Sequence, residues 1–247
     1  MTPEIPFRRN VVQPVECIKA GWALIKNEYW LFVGICAVGM LLASAVPLGI
    51  LLGPMMCGIY LTLFRKRRGE FIEFGTLFKG FDFFGPSFVA TLIHIVPIIA
   101  IVLPAYFIFY VGMILSMATQ DPNDPNPAAV FGVFFGFVIF ILVMMIVIMI
   151  LSIGFTFAYP LITDRKLQGL DAVKLSFRAA MANFWGLLLM ALLTTLLQFG
   201  GVLMCYIGVV FVLPINFAAL ATAYEQVFGL ANPNENWSNM PPPPPTF

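Results

Sequence analysis

Long apolar stretches alternate with short polar punctuation along this chain, and stripes of helical period introduce them. Val15, Ile18, Trp22, Ile25 and Tyr29 recur at spacings of three and four, while Glu16, Lys19 and Lys26 fall elsewhere. A short amphipathic helix is therefore predicted to open at Pro14, a residue suited to a first helical turn. Leu170, Val173, Phe177, Ala180 and Phe184 repeat the stripe in the last third of the chain. Helices of this kind lie in a membrane interface or pack on the cytoplasmic side of a bundle, and both placements are compatible with the pattern.

The apolar runs between the stripes predict membrane crossings. Trp30 to Phe64 is too long for one span of about 20 residues and tight for two. Pro47, Gly49, Gly53 and Pro54 interrupt it near the middle, so a hairpin with short arms is expected. Ser87 to Met117 and Val130 to Ile162 each suffice for a span, with Pro97 and Pro104 expected to kink the first of them. Their junction, Gln120 to Pro127, is polar and has no Lys or Arg, which assigns it to the outside. Phe184 to Leu197 and Val202 to Tyr224 flank Gln198-Phe199-Gly200-Gly201, read as a turn. The predicted fold is all-α and polytopic: six transmembrane helices in three hairpins, each preceded by an interfacial amphipathic helix.

The three hairpins read as repeats. With Trp30 set on Trp185, Val15-Glu16-Cys17-Ile18-Lys19 lies over Leu170-Asp171-Ala172-Val173-Lys174, and Tyr29-Trp30 lies over Phe184-Trp185. A weaker middle copy starts at Phe74, where Asp82-Phe83-Phe84-Gly85 resembles Asn183-Phe184-Trp185-Gly186. The expected organisation is an N-terminal cytoplasmic segment over 1–13 and a membrane domain over 14–229, with units of about 14–69, 73–164 and 166–229. A disordered Pro-rich cytoplasmic tail over 230–247 ends in Pro241 through Pro245.

Charge fixes the orientation that periodicity leaves open. The 13 Lys and Arg residues fall into three clusters: Arg8 to Lys26, Arg65 to Lys79, and Arg165 to Arg178. If all three face the cytoplasm, each apolar group must leave and return, and both termini are cytoplasmic. A hydrophobic content of 61% against 10% charged residues is too apolar for a soluble globule of 247 residues. A net charge of +1 offers no global field for nucleic acid, which is excluded as a partner. Arg65, Lys66, Arg67, Arg68, Arg165 and Lys166 read first as topology anchors, and the same positions make them candidate contacts for anionic lipid.

Candidate chemistry is sparse. No nucleophile with a base, metal-ligand cluster or phosphate loop is recognisable, so the chain is read as non-enzymatic and without cofactor or metal. Cys17, Cys36, Cys57 and Cys205 are read as lipid-facing or packing thiols, and Gly132 with Gly136 as a small-residue helix contact. The intramembrane polar candidates are His94, Gln198, Asn216 and Glu225. His94 either serves protons or a substrate, or is a neutral group bonded to a carbonyl freed by Pro97. Gln198 and Asn216 are expected in helix-to-helix hydrogen bonds, and Glu225 in an ion pair with a basic cluster. Thr163 or Asp164 is expected to cap the amphipathic helix that follows.

Gly53-Pro54 with Gly58-Ile59-Tyr60, Arg68-Gly69-Glu70, Leu77-Phe78-Lys79-Gly80-Phe81 and Tyr159-Pro160-Leu161-Ile162-Thr163-Asp164 together resemble a group of uncharacterised bacterial multi-spanning membrane proteins. Some of that group are labelled by analogy with the membrane domain of glycerophosphodiester phosphodiesterases. The resemblance covers nearly the whole chain up to Gly229 and implies a bacterial inner-membrane protein without catalytic residues. The function expected from these readings is a membrane scaffold or assembly factor whose partners are membrane lipids, other membrane proteins or further copies of itself. A transporter or channel for a solute, and a hairpin protein that shapes membranes, are the alternatives.

Overall fold

The computed structural model describes residues 5–46, 49–118, 127–203 and 207–231, apart from the side chains of 127–130 and 207. Every regular element among them is helical. In order they are α1 (Pro14–Ile25), a 3-10 turn (Lys26–Glu28), α2 (Tyr29–Ala45), α3 (Leu52–Arg67), a 3-10 helix (Phe74–Phe83), α4 (Phe84–Ala118) and α5 (Pro127–Ile153). Then come α6 (Ala158–Arg165), α7 (Gly169–Ala182), α8 (Phe184–Leu203) and α9 (Ile207–Phe228). Among the described residues five stretches are long and apolar enough to cross a membrane: Pro14–Ala45, Phe74–Ala118, Phe131–Arg165, Phe184–Leu203 and Gly208–Phe228. The sixth expected span is α3, whose 16 residues reach about 24 Å against a hydrocarbon core of about 30 Å.

Two compact units divide the chain, one formed by 1–92 with 153–247 and the other by 93–152. In the first, α3 is the central element, burying Met55, Cys57, Ile59, Tyr60, Leu63 and Phe64 almost completely. Tyr60 meets Phe217 edge-on at 5.9 Å, and Phe64, Phe157 and Phe228 ring Tyr224. Small residues let the backbones approach. A Cβ on Gly58 would strike the carbonyl of Leu77, and one on Gly80 would strike the backbone of Pro54 and Gly58. That mutual contact seats the 3-10 helix on α3. The helix opens with a capping box in which Glu73 accepts the Thr76 N–H and Thr76 accepts the Glu73 N–H. It replaces the α-helical opening expected for the middle repeat.

The amphipathic stripes divide between two faces. On α1 the buried residues are Cys17, Gly21 and Ile25, and Gly21 sits against the backbone of Ala218 and Ala219 on α9. Val15 and Trp22 point outward. At the matching positions α7 buries Ala172, Ser176 and Ala180 and exposes Leu170 and Phe177. Trp30 and Trp185, equivalent in the repeat, are 73% and 77% exposed. Each opening helix thus packs largely by small residues, together with Ile25 on α1 and Val173 on α7, and turns Val15 and Trp22 or Leu170 and Phe177 away.

Three expected boundaries move. α8 continues through Gln198-Phe199-Gly200-Gly201, and Gly201 closes on Gly208 of α9 instead of turning the chain. Apolar surroundings favour keeping backbone hydrogen bonds within the helix, so glycine there allows contact without ending the element. The expected span to Ile162 breaks at 154–157, where Ser176 of α7 donates to the Gly154 carbonyl at 2.8 Å and accepts the Phe157 N–H at 3.1 Å. Thr163 and Asp164 do not cap α7. Thr163 donates back to the Tyr159 carbonyl inside α6, and the N-cap of α7 is Gln168, without a side-chain bond. The first break behaves as expected, with α2 ending at Ala45 and Gly49 in the left-handed region at φ 66°.

In the second unit, α4 and α5 form an antiparallel pair. Phe109 stacks on Phe140 at 4.5 Å, Tyr106 meets Phe140 edge-on at 5.1 Å, and Phe109 lies 5.8 Å from Phe137. Most other large side chains, among them Phe107, Ile108, Phe131, Phe134 and Phe135, are exposed. Cβ atoms on Gly132 and Gly136 would meet nothing within 4 Å, so within this chain they are not the helix contact their spacing suggests. The polar junction at 119–126, the Pro-rich tail beyond Ala231 and Cys205 lie outside the described residues. Cys17, Cys36 and Cys57 are buried free thiols.

Candidate functional site

Four consecutive cations end α3, and helical rotation of about 100° per residue sends each in a different direction. Arg65 faces Glu70 at 3.7 Å, Lys66 pairs with Glu28 before α2, Arg67 with Glu225 of α9 at 2.8 Å, and Arg68 with Asp164 of α6 at 2.6 Å. One cluster therefore ties α3 to the start of α2, to α6 and to α9. Cations at a helix C-terminus also oppose its partial negative charge.

Asp164 is the hub. Its side chain is fully buried, and its Oδ1 accepts from Arg68 Nη2. The other oxygen accepts from the Tyr224 hydroxyl at 2.8 Å and from the Ala231 N–H at 3.0 Å, with Arg165 Nε at 3.4 Å. Arg165 Nη2 donates to the carbonyls of Phe228 and Gly229 at 3.0 and 3.2 Å, closing the end of α9 where Gly229 turns left-handed at φ 67°. Arg68 also donates to the Ala231 carbonyl at 3.1 Å. Both backbone groups of Ala231 are thus held, and the ends of α3, α6 and α9 converge on one carboxylate. Buried charge of this kind is tolerable because each member has several partners.

A second polar cluster fixes the N-terminal segment, which is a docked strap over its described part, residues 5–13. Arg8 N–H donates to the Val227 carbonyl at 2.9 Å, and Ile5 and Val12 are buried. Asn183, buried at the junction of α7 and α8, accepts the Val11 N–H at 3.1 Å and donates to the Arg8 carbonyl at 3.0 Å. Gln226 of α9 accepts the Gln13 N–H at 3.0 Å and the Cys17 thiol at 3.4 Å.

The residues singled out from the sequence separate. Glu225 belongs to the charge network through Arg67. His94 Nε2 lies 3.3 Å from Ser152 Oγ, joining α4 to α5 inside the second unit. Gln198 and Asn216 are half-buried and make no side-chain hydrogen bond among the described residues. The Gly201–Gly208 contact sets the register of α8 on α9 and leaves Asn216 more than a turn deeper than Gln198, so the two do not meet. Of the six candidate lipid cations, Lys66, Arg67, Arg68 and Arg165 are engaged by carboxylates or carbonyls, while Lys166 is exposed at φ 53°.

Asp164, Tyr224, Asn183, Gln226 and Ser176 were not anticipated as structural hubs. One signal was present for Asn183: a polar residue precedes the aromatic pair in every repeat, as Glu28, Asp82 and Asn183. Comparison of the chain with protein-family models, with curated proteins and with solved structures finds no match.

Proposed function

We propose that this chain is a non-enzymatic, multi-spanning membrane scaffold of the bacterial inner membrane. In this reading α2 with α3, α4 with α5, and α8 with α9 are three hairpins, and the basic clusters and both termini are cytoplasmic. The convergence of Arg68, Arg165 and Ala231 on Asp164 supports a common side for the three hairpin returns. The observation that carries the scaffold role is the surface of the second unit, where the most apolar windows of α4 and α5 bury none of their residues within the chain. Large apolar side chains turned outward on both helices suit lipid and the transmembrane helices of a partner protein. A transporter is the competing reading, and the His94–Ser152 pair inside that apolar hairpin is what favours it.

The test is photocrosslinking from positions 134 and 135 in native membranes, combined with flux in proteoliposomes. A scaffold should give a protein adduct of defined mass, re-formed from purified components, and no adduct from buried position 64. Adducts with lipid alone, together with solute flux that disappears in a folded His94→Ala variant, would replace the scaffold with a transporter.

A further inference from the structure

Three of the four cations ending α3 are engaged within the bundle, but Arg65 keeps only a 3.7 Å contact with the partly exposed Glu70. Lys79, on the 3-10 helix, has no ion-pair partner among the described residues. The two cations line one open groove of about 340 Å³, together with Phe71, Glu73, Gly75 and Thr76. Glu73 already accepts the Thr76 N–H in the capping box. The groove thus presents two cationic hydrogen-bond donors, one of them loosely paired with Glu70 outside the lining. Around this polar floor the protein exposes apolar rings: Phe71 is 83% exposed, and Phe74 and Phe78, 6.4 Å apart, are also exposed.

We propose that this groove binds the headgroup phosphate of an anionic glycerophospholipid. Arg65 and Lys79 hold the phosphodiester oxygens, while Phe71, Phe74 and Phe78 contact the glycerol backbone and the first acyl carbons. The assignment rests on the membrane reading of the chain but not on its role as a scaffold, since a transporter could carry the same lipid. It also moves lipid recognition away from Lys66, Arg67, Arg68 and Arg165, whose side chains hold the bundle together.

Gly75 gives a direct way to close the site. Its φ is not left-handed, and a Cβ there would meet nothing within 4 Å, so a larger side chain can fill the groove without displacing the fold. The full chain in detergent is titrated with dioleoylphosphatidylglycerol, and retained lipid is counted by native mass spectrometry. Wild-type protein should keep one lipid more tightly than any other. Arg65→Gln and Lys79→Gln should each lower its occupancy constant about fivefold, and Gly75→Leu should abolish retention with an unchanged melting temperature. If Gly75→Leu does not fold, the exposed Lys79→Gln variant decides. Undiminished retention in Lys79→Gln overturns the proposal, as does displacement of the lipid by millimolar inorganic phosphate, which would make this a site for a soluble anion.

Discussion

The two compact units use their apolar helices in opposite ways. The unit built on α3 buries glycines, alanines, cysteines and serines, and so brings backbones close enough for a fully buried carboxylate to bind three segments at once. In the α4–α5 unit large side chains cover the outside, and the contacts inside include a few aromatic pairs and a histidine–serine pair. Hydrophobicity cannot drive helices together when the solvent is itself hydrocarbon, so close packing and polar bonds must do so. The first unit is well supplied with both, and the second relies on whatever surrounds it.

Removing the hub should separate the units most clearly. Asp164→Ala strands two guanidinium groups and the Ala231 N–H, and unfolding in mixed detergent should show a loss of about 3 kcal/mol, the low end for a broken buried pair because Arg68 is 22% exposed. A loss no larger than that from Phe140→Ala would erase the contrast. Glycine substitution offers a sharper test with a built-in control. Gly58→Ala drives a methyl group into the Leu77 carbonyl and should cost about 1–3 kcal/mol. Gly136→Ala, with open space around it, should be neutral or slightly stabilising in the same assay. Among the destabilising changes the aromatic pair has the smallest effect: a double-mutant cycle on Phe109 and Phe140 should yield a coupling of about 0.5–1.5 kcal/mol.

What was legible in the sequence was what is local. The start of α1 at Pro14, the interruption near Gly49, the length of α4 and the matching patterns of α1 and α7 follow from spacing and turn chemistry. What was hidden depends on partners far along the chain. Gly200 and Gly201 look like a turn because glycine favours turns in water, yet within an apolar helix Gly201 marks a contact. The break at 154–157 has no proline or charge, because the hydroxyl that stabilises it, Ser176, comes from another helix. Asp164 looks like a local cap until Arg68 and Tyr224 are brought to it from 96 and 60 residues away. His94 and Glu225 stood out because they interrupt apolar runs, but nothing local to Glu225 identifies Arg67 as its partner.

The strap at the start of the chain has a consequence for how the protein is made. Arg8 and Gln13 are synthesised well before their hydrogen-bond partners, Val227 and Gln226, with 213 residues separating Gln13 from Gln226. The helices between them can form while these partners are still inside the ribosome, but the ring of contacts cannot close. The strap is therefore fully seated only after α9 is made, and a chain cut short before Gln226 keeps it by its bonds to Asn183 alone among these partners. Seating of residues 5–13 is thus a signature that α9 has been made and packed.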